Sequence, residues 1–400
     1  MSPPRSSSSS GLPLVRVSLK GAKSLRRGNP WVYRTELLEL PDTQERGAVV
    51  SVVDPQGNPV GQAFYAQHSP LALRLLTRKG HAEEKVDEAF LRQRLEWALA
   101  RRAPLRPRDG LRLVHGEADL LPGLFVDRYG SGLSVQTLSE GMDARKEWVA
   151  RTLAQLTGAT HVVCRDDASG RDFEGLPREA RLLHGEGEAR FGYHEGENLF
   201  EVNLLGDMKT GAFLDQVDNH LRAGELARGA ALDLFSYHGG FALALSRACD
   251  SVVAVEQDAT AATRARENAA RNGRTNVTVE NANAFDVLRR YSESSQRFDT
   301  VVVDPPGLAK RREGLATALR AYHELNLRAI KCLRPEGLLV TCSCSGKLGR
   351  EEFEEMVLSA AADAKRPVQI LERRGAGLDH PVLGGLPETE YLKAFFIRVL

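Results

Sequence analysis

The sequence predicts an α/β protein whose C-terminal half is a Rossmann-like parallel sheet, preceded by a small β-barrel and an α+β region. Three observations carry that expectation. From about residue 191, short apolar strands alternate with helical stretches, as crossover-linked parallel strands require. Residues 230–235, 236–240, 241–249 and 251–255 read as strand, small-residue turn, helix and strand. Residues 14–80 instead carry short β-like segments at even spacing, the signature of a small barrel.

The elements follow in chain order. Residues 1–13 are rich in Ser and Pro, have no apolar core of the kind a signal peptide needs, and read as a solvated tail. Strands are expected at 14–19, 48–53, 60–65 and 71–76, parted by turns such as Asp54-Pro55-Gln56-Gly57-Asn58-Pro59. Between 83 and 102, Val86, Phe90, Leu91, Leu95, Ala98 and Leu99 recur at helical spacing, and Pro104 and Pro107 end the helix. Residues 111–114, 133–138 and 161–164 are strand-like and 144–156 helical, which suits an α+β middle region. The expected division is a tail at 1–13 and domains at 14–82, 83–190 and 191–400. In the last of these, Asp258 starts a helix that stops at Asn272-Gly273, and 277–279, 301–303 and 338–341 supply further strands.

Composition narrows the class. With 42% hydrophobic and 27% charged residues, the chain is expected to be folded, soluble and cytoplasmic. Its apolar runs fall far short of the roughly 20 residues that span a bilayer, and five scattered cysteines suggest no disulfide framework. Net charge is +1, but residues 1–80 hold 11 Lys+Arg against 5 Asp+Glu, so the rest is net −5. Lys20, Lys23, Arg26 and Arg27 lie in an acid-free stretch near Trp31 and Tyr33, which suits phosphate contact; the alternative is a solvated basic face.

Two groups of residues carry chemistry. Asp233 at a strand end, Gly239 and Gly240 in the turn, Glu256 at the next strand end and Asn283 beyond the third match a nucleoside site at a sheet's carboxyl edge. The stretch from Ser236 to Phe241 lacks G-x-G-x-x-G, so a dinucleotide fits poorly and S-adenosylmethionine fits better. Asp233 would face its ammonium, Glu256 its ribose and Asn283 its adenine. The second group is Asp304-Pro305-Pro306 after one strand and Cys342-Ser343-Cys344-Ser345-Gly346 after another. A thiol beside an acid suits attack on carbon 6 of a pyrimidine, which activates carbon 5. Cys342 and Cys344 point the same way on a strand, but Cys344 lies past its end and is the favoured nucleophile. Cys164, Cys249 and Cys332 read as buried packing. His194, His220 and His238 have no metal-ligand spacing and read as structural or surface; no metal is expected.

These residues, with the blocks 116–124, 126–128, 209–216, 235–241, 343–346, 379–382 and 391–393, resemble the bacterial ribosomal RNA large-subunit methyltransferase I family over nearly all of 14–400. That resemblance implies a class I SAM-dependent methyltransferase domain behind an N-terminal PUA domain and a small central α+β domain. It implies transfer of methyl from S-adenosylmethionine to carbon 5 of a cytosine in 23S ribosomal RNA, either naked or within a pre-50S particle, and assigns the nucleophile to Cys344. Gln216, Phe235 and Asp304 become expected cofactor contacts. The chain departs from the family pattern at His238, where many relatives have Thr, and at Gly307, often Lys. Uracil carbon 5 methylation and a non-catalytic RNA-binding assembly factor are the competing readings.

Overall fold

The computed structural model describes residues 11–80, 84–105, 108–207, 210–309 and 312–400. The Ser-rich stretch 1–10, Pro107 and Lys209 lie outside the described residues. Among those described, no helix is long and apolar enough to cross a membrane. The chain divides into two compact units. One runs to Tyr193 and adds Val202–Ala212 and Asp379–Thr389; the other takes His194–Glu201, Phe213–Leu378 and Glu390–Leu400.

The first unit contains a six-stranded sheet built from Leu14–Val17, Trp31–Tyr33, Leu37–Glu39, Val49–Val53, Pro59–Tyr65 and Leu71–Leu75. Its core is Val15, Val17, Val50, Val52, Ala63 and Leu73. An eight-residue helix, Leu19–Arg26, stands where the sequence suggested only strands. Ser18 starts it by accepting a hydrogen bond from the Gly21 N–H, and Ala22 and Leu25 bury its inner face. Two turns of helix are too short for periodicity to reveal.

The same unit holds a five-stranded sheet of Gly110–His115, Leu124–Tyr129, Gly132–Thr137, His161–Asp166 and Glu179–His184. The second and last of these strands were not expected. Leu124–Tyr129 is disguised by a buried carboxylate, Asp127, whose oxygens accept from Arg112 Nε at 2.7 Å and Nη2 at 2.8 Å. The two sheets are tied by buried charge. Arg74 donates to Glu117 at 2.7 Å and Glu174 at 3.1 Å, and Trp31 Nε1 donates to Glu117 at 2.9 Å. Asp379 enters the same unit from far along the chain, accepting from the Arg112 N–H at 2.8 Å, while its carbonyl accepts from Arg102 at 2.9 Å.

The second unit is a seven-stranded sheet. Its strands are β1 (Gly229–Leu234), β2 (Cys249–Glu256), β3 (Val277–Asn281), β4 (Phe298–Val303), β5 (Leu333–Ser343), β6 (Val368–Arg374) and β7 (Lys393–Val399). Their order is 3-2-1-4-5-7-6, with β1 to β5 parallel and β7 antiparallel to both neighbours. Helices α1 (Val217–Leu226), α2 (Gly240–Leu245), α3 (Ala259–Arg271), α4 (Ala284–Glu293), α5 (Leu315–Cys332) and α6 (Arg350–Asp363) accompany it. Apolar side chains on both sheet faces are covered: Val301, Val303 and Leu339 belong to one core, Val302, Val340 and Cys342 to another. Burial on both faces explains why these strands read as continuous apolar runs. Chain order reverses on either side of β1, so its carboxyl end is where an open sheet of this kind holds a ligand.

Candidate active site

Six segments converge at that carboxyl edge: the turns after β1 to β5 and the segment that carries Gln216. The turn after β1 is forced into a tight left-handed course, with φ of 66° at Phe235, 48° at Tyr237 and 89° at Gly239. Such values are costly for Phe and Tyr and cluster where backbone must approach a ligand. Gly240 has a different constraint: a Cβ there would lie 2.3 Å from the His220 ring.

Asp233 sits beneath the turn and is fully buried. Neither of its oxygens makes a hydrogen bond of ordinary geometry, and the Ser236 Oγ is likewise buried without a partner. Burial pushes the Asp233 carboxyl up to about 8; His220 and the Ala242 amide pull it down, and Asp304 and Glu256 push it up. A buried carboxylate so sparsely hydrogen-bonded is costly and fits a cationic ligand group. Glu256 is already oriented, accepting from the Tyr237 N–H and the Asp258 N–H, each at 2.8 Å. Asn283 caps α4: its Oδ1 accepts from the Phe285 N–H at 2.9 Å and its Nδ2 donates to Gln257 at 3.0 Å.

Asp304 follows β4. Its Oδ2 accepts from Gln216 Nε2 at 3.0 Å, and Gln216 Oε1 accepts from Asn219 at 2.7 Å. Gln216 is buried and aims the Asp304 carboxylate. Cys344 follows β5 and is partly exposed, whereas Cys342 is buried and its thiol is held well above the usual range by burial and by Asp304. The position a Cβ would take on Gly307 is 3.6 Å from the Cys344 sulfur, so the Pro-Pro loop runs beside the thiol. Ser345 fastens that loop: its Oγ accepts from the Ala309 N–H at 3.1 Å and lies 3.1 Å from the Tyr322 hydroxyl. The side chains of Gln216, Asp233, Glu256, Asp304 and Cys344 thus belong to one unit and one sheet edge.

Two groups escaped the sequence reading. His220, read as structural or surface, is buried under Gly240 with Nδ1 2.7 Å from Glu195 Oε2, a partner that its sequence neighbourhood does not show. Burial disfavours its charge, but Glu195, aided by Asp304 and Asp233, outweighs that and raises its pKa. Lys393 is buried beside the Cys344 turn. His238 stacks on Tyr237 at 3.7 Å, and burial, aided by Arg264, pushes its imidazole down to about 3.

The four candidate phosphate contacts, Lys20, Lys23, Arg26 and Arg27, lie on the helix Leu19–Arg26 and just past it, all exposed. Lys20 bonds Glu36 at 2.8 Å and Arg26 bonds Asp54 at 2.6 Å. Lys23 and Arg27 make no ion pair among the described residues, and with Leu19, Lys20 and Gly385 they line an open groove of about 630 Å³. Elsewhere in this unit Cys164, Asp166 and Glu179 are spaced as metal ligands, but the Lys146 ammonium already lies 2.5 Å from Asp166 and 2.6 Å from Glu179.

A family profile described as PUA-like domain matches residues 15–78, and one described as Conserved hypothetical protein 95 matches 211–352. The chain is 36% identical over 388 residues to the Ribosomal RNA large subunit methyltransferase I of Tolumonas auensis, covering 94% of this chain and 97% of that one. The protein of the same name from Shewanella amazonensis is 36% identical over 395 residues, covering 96% and 99%. Among solved structures, a protein from Streptococcus mutans described as a SAM-dependent methyltransferase superposes with a TM-score of 0.82 at 18% identity, covering 97% of this chain and all of that one. Another methyltransferase structure, complexed with SAH, gives a TM-score of 0.81 at 18% identity over the same shares. The fold is that of SAM-dependent methyltransferases with a PUA-like N-terminal domain.

Proposed function

The chain belongs to the ribosomal RNA large subunit methyltransferase I family, and from that premise we propose that it methylates carbon 5 of a cytosine in 23S ribosomal RNA through a Cys344 adduct. The observation that carries the reading is the pairing of a donor-starved Asp233 with a partly exposed Cys344 at one sheet edge. S-adenosylmethionine, with Asp233 at its ammonium and Glu256 at its ribose, supplies an electrophilic methyl carbon. Phe235, Gly239 and Gly240 shape the backbone against it, and Asn283 borders the adenine side.

The protein's own groups do the rest. The Cys344 thiolate adds to carbon 6, because sulfur is the stronger nucleophile and addition breaks the ring's aromatic character. Asp304, aimed by Gln216, donates the proton of its neutral carboxyl to nitrogen 3, an acceptor in cytosine, so that carbon 5 becomes nucleophilic and takes the methyl group as the donor's sulfonium departs as a neutral thioether. Loss of the carbon 5 proton then expels the thiolate. Stacking shields carbon 5 within a helix, so the cytosine must be turned out of it. Among the basic residues, Lys23 and Arg27 are the best-placed phosphate contacts, with Lys20 and Arg26 held back by their carboxylate partners.

The reading is tested by incubating ribosomal RNA with the protein and methyl-labelled S-adenosylmethionine, then resolving the nucleosides by mass spectrometry. Label in 5-methylcytidine is the expected result; label in 5-methyluridine would replace cytosine with uracil, and no label would remove the activity. Replacing Lys23 and Arg27 together with alanine should weaken RNA binding and flatten its dependence on log salt by roughly 1.5 units. An unchanged slope would take this helix out of the RNA interface. These point changes are a cleaner test than deleting residues 1–80, which would strand the buried Glu117 and Glu174 without Arg74.

A further inference from the structure

Among the described residues two lysines are buried, Lys146 and Lys393, and they are buried in opposite ways. Lys146 lies against three carboxylates, Asp143, Asp166 and Glu179, at 2.5 to 2.9 Å. Lys393 hydrogen-bonds two backbone carbonyls, Ser345 O at 2.7 Å and Tyr391 O at 2.9 Å. Two carbonyls use both N–H groups of a neutral amine and leave its lone pair for a further partner. A buried ammonium in that setting is poorly compensated, which favours the neutral form.

The position of the amine is specific. Lys393 opens β7, opposite Ser343 of β5 in the antiparallel register, and its Nζ reaches the carbonyl of the residue that follows Cys344. The amine is therefore anchored to the turn that carries the thiol. The charged groups around it are Cys344, Arg350 and Glu390, and the last two bond each other at 2.6 Å. Burial pushes Lys393 down to about 8; Cys344 and Glu390 oppose the shift and Arg350 adds to it. An amine in that range and a thiol of ordinary pKa about 8.5 exchange a proton with little free-energy change.

We propose that Lys393 is the proton partner of Cys344, its amine accepting the thiol proton to leave a thiolate–ammonium pair. The inference rests on the reading of Cys344 as the nucleophile. In the step, the S–H bond breaks, an N–H bond forms, and the electron pair stays on sulfur. The thiolate is spent in addition to carbon 6 and restored by elimination. The proton stays on Lys393 throughout, and the carbon 5 proton leaves by a separate route. Lys393 acts through Cys344 and is a positioning residue in that sense.

The test is the rate of Cys344 alkylation by iodoacetamide from about pH 6 to about pH 10, in the full-length protein without RNA or methyl donor, read on the Cys344 peptide by mass spectrometry. In the wild type the thiol should titrate below about 8.5. Lys393→Met should raise its midpoint by about one unit or more, slowing alkylation at neutral pH roughly tenfold. Lys393→Arg should keep the low midpoint, because a guanidinium stays charged. Coincident wild-type and Lys393→Met curves would overturn the proposal. Should the Met variant not fold, a wild-type midpoint at or above the ordinary thiol value overturns it alone. No RNA methylation enters the readout, so failure to find 5-methylcytidine and failure of this titration are separate results.

Discussion

Replacing Cys344 with alanine is expected to lower methyl transfer at least about a thousandfold, while affinity for S-adenosylhomocysteine stays within roughly twofold. The thiol is the nucleophile of the proposed reaction, and no other described cysteine is available to replace it: Cys164, Cys249, Cys332 and Cys342 are all buried. The cofactor affinity is spared because the groups assigned to the cofactor's ammonium, ribose and adenine lie at the carboxyl ends of β1, β2 and β3, whereas Cys344 follows β5. Cys342→Ala is the informative contrast. It opens a small gap in the core formed with Val302, Val340, Ala394 and Phe396, and should cost about 1–2 kcal/mol of stability with little loss of chemistry. Single-turnover transfer and calorimetric binding separate the two effects. Substantial turnover by Cys344→Ala would rule out the adduct.

Asp233→Asn is expected to weaken S-adenosylmethionine binding at least about a hundredfold, roughly 3 kcal/mol, by removing the buried carboxylate that the proposal assigns to the ligand ammonium. The wild-type affinity should also depend on pH in a defined direction. With the free carboxyl near 8, Asp233 is mostly protonated at pH 6 and must lose that proton to pair with a cation. Affinity therefore rises about tenfold from pH 6 to pH 7 and levels off above about 8. The asparagine variant should lack this rise. Stability of the free protein runs the other way. A carboxyl whose folded pKa lies above its unfolded value supports the fold at low pH, and that support is lost as pH climbs from about 4 through about 8. Asp233→Asn has no carboxylate to desolvate, so without ligand it should melt higher than wild type at pH 8. A pH-independent affinity in the wild type would remove Asp233 from the ammonium site.

The parts of the molecule legible in the sequence are those in which one strand reports on itself. Residues 230–235, 251–255, 277–279, 301–303 and 338–341 fall within or overlap β1 to β5; the runs 301–303 in β4 and 338–340 in β5 are continuously apolar because both their faces are buried, whereas β3 is an edge strand that shows only through the alternation of Val277 and Val279. Asp233, Glu256 and Asp304 stand out in the sequence for a related reason: they interrupt or follow such runs at the carboxyl edge. What stayed hidden depends on partners far along the chain. Gln216 and Asp304 are 88 positions apart, and nothing local announces their hydrogen bond. Arg112 neutralises Asp127 across the sheet, and nothing local shows that the Asp127 carboxylate belongs inside a strand. His220 reads as an isolated histidine until Glu195 is brought beneath Gly240. Lys393 stands in the block 391–393 with no role that the sequence assigns, and only the fold turns its amine inward to the Ser345 carbonyl. The helix Leu19–Arg26 was missed by length alone, although its basic residues were noticed.

The attack of Cys344 on a cytosine is tested most directly with large-subunit ribosomal RNA carrying 5-fluorocytidine in place of cytidine. Fluorine at carbon 5 cannot leave as a proton does, so an adduct that has accepted the methyl group cannot collapse. The expected result is an RNA–protein species that survives denaturing electrophoresis, requires S-adenosylmethionine, maps to the Cys344 peptide and is absent from Cys344→Ala. No such species, one joined at another residue, or one formed only with 5-fluorouridine would contradict the account.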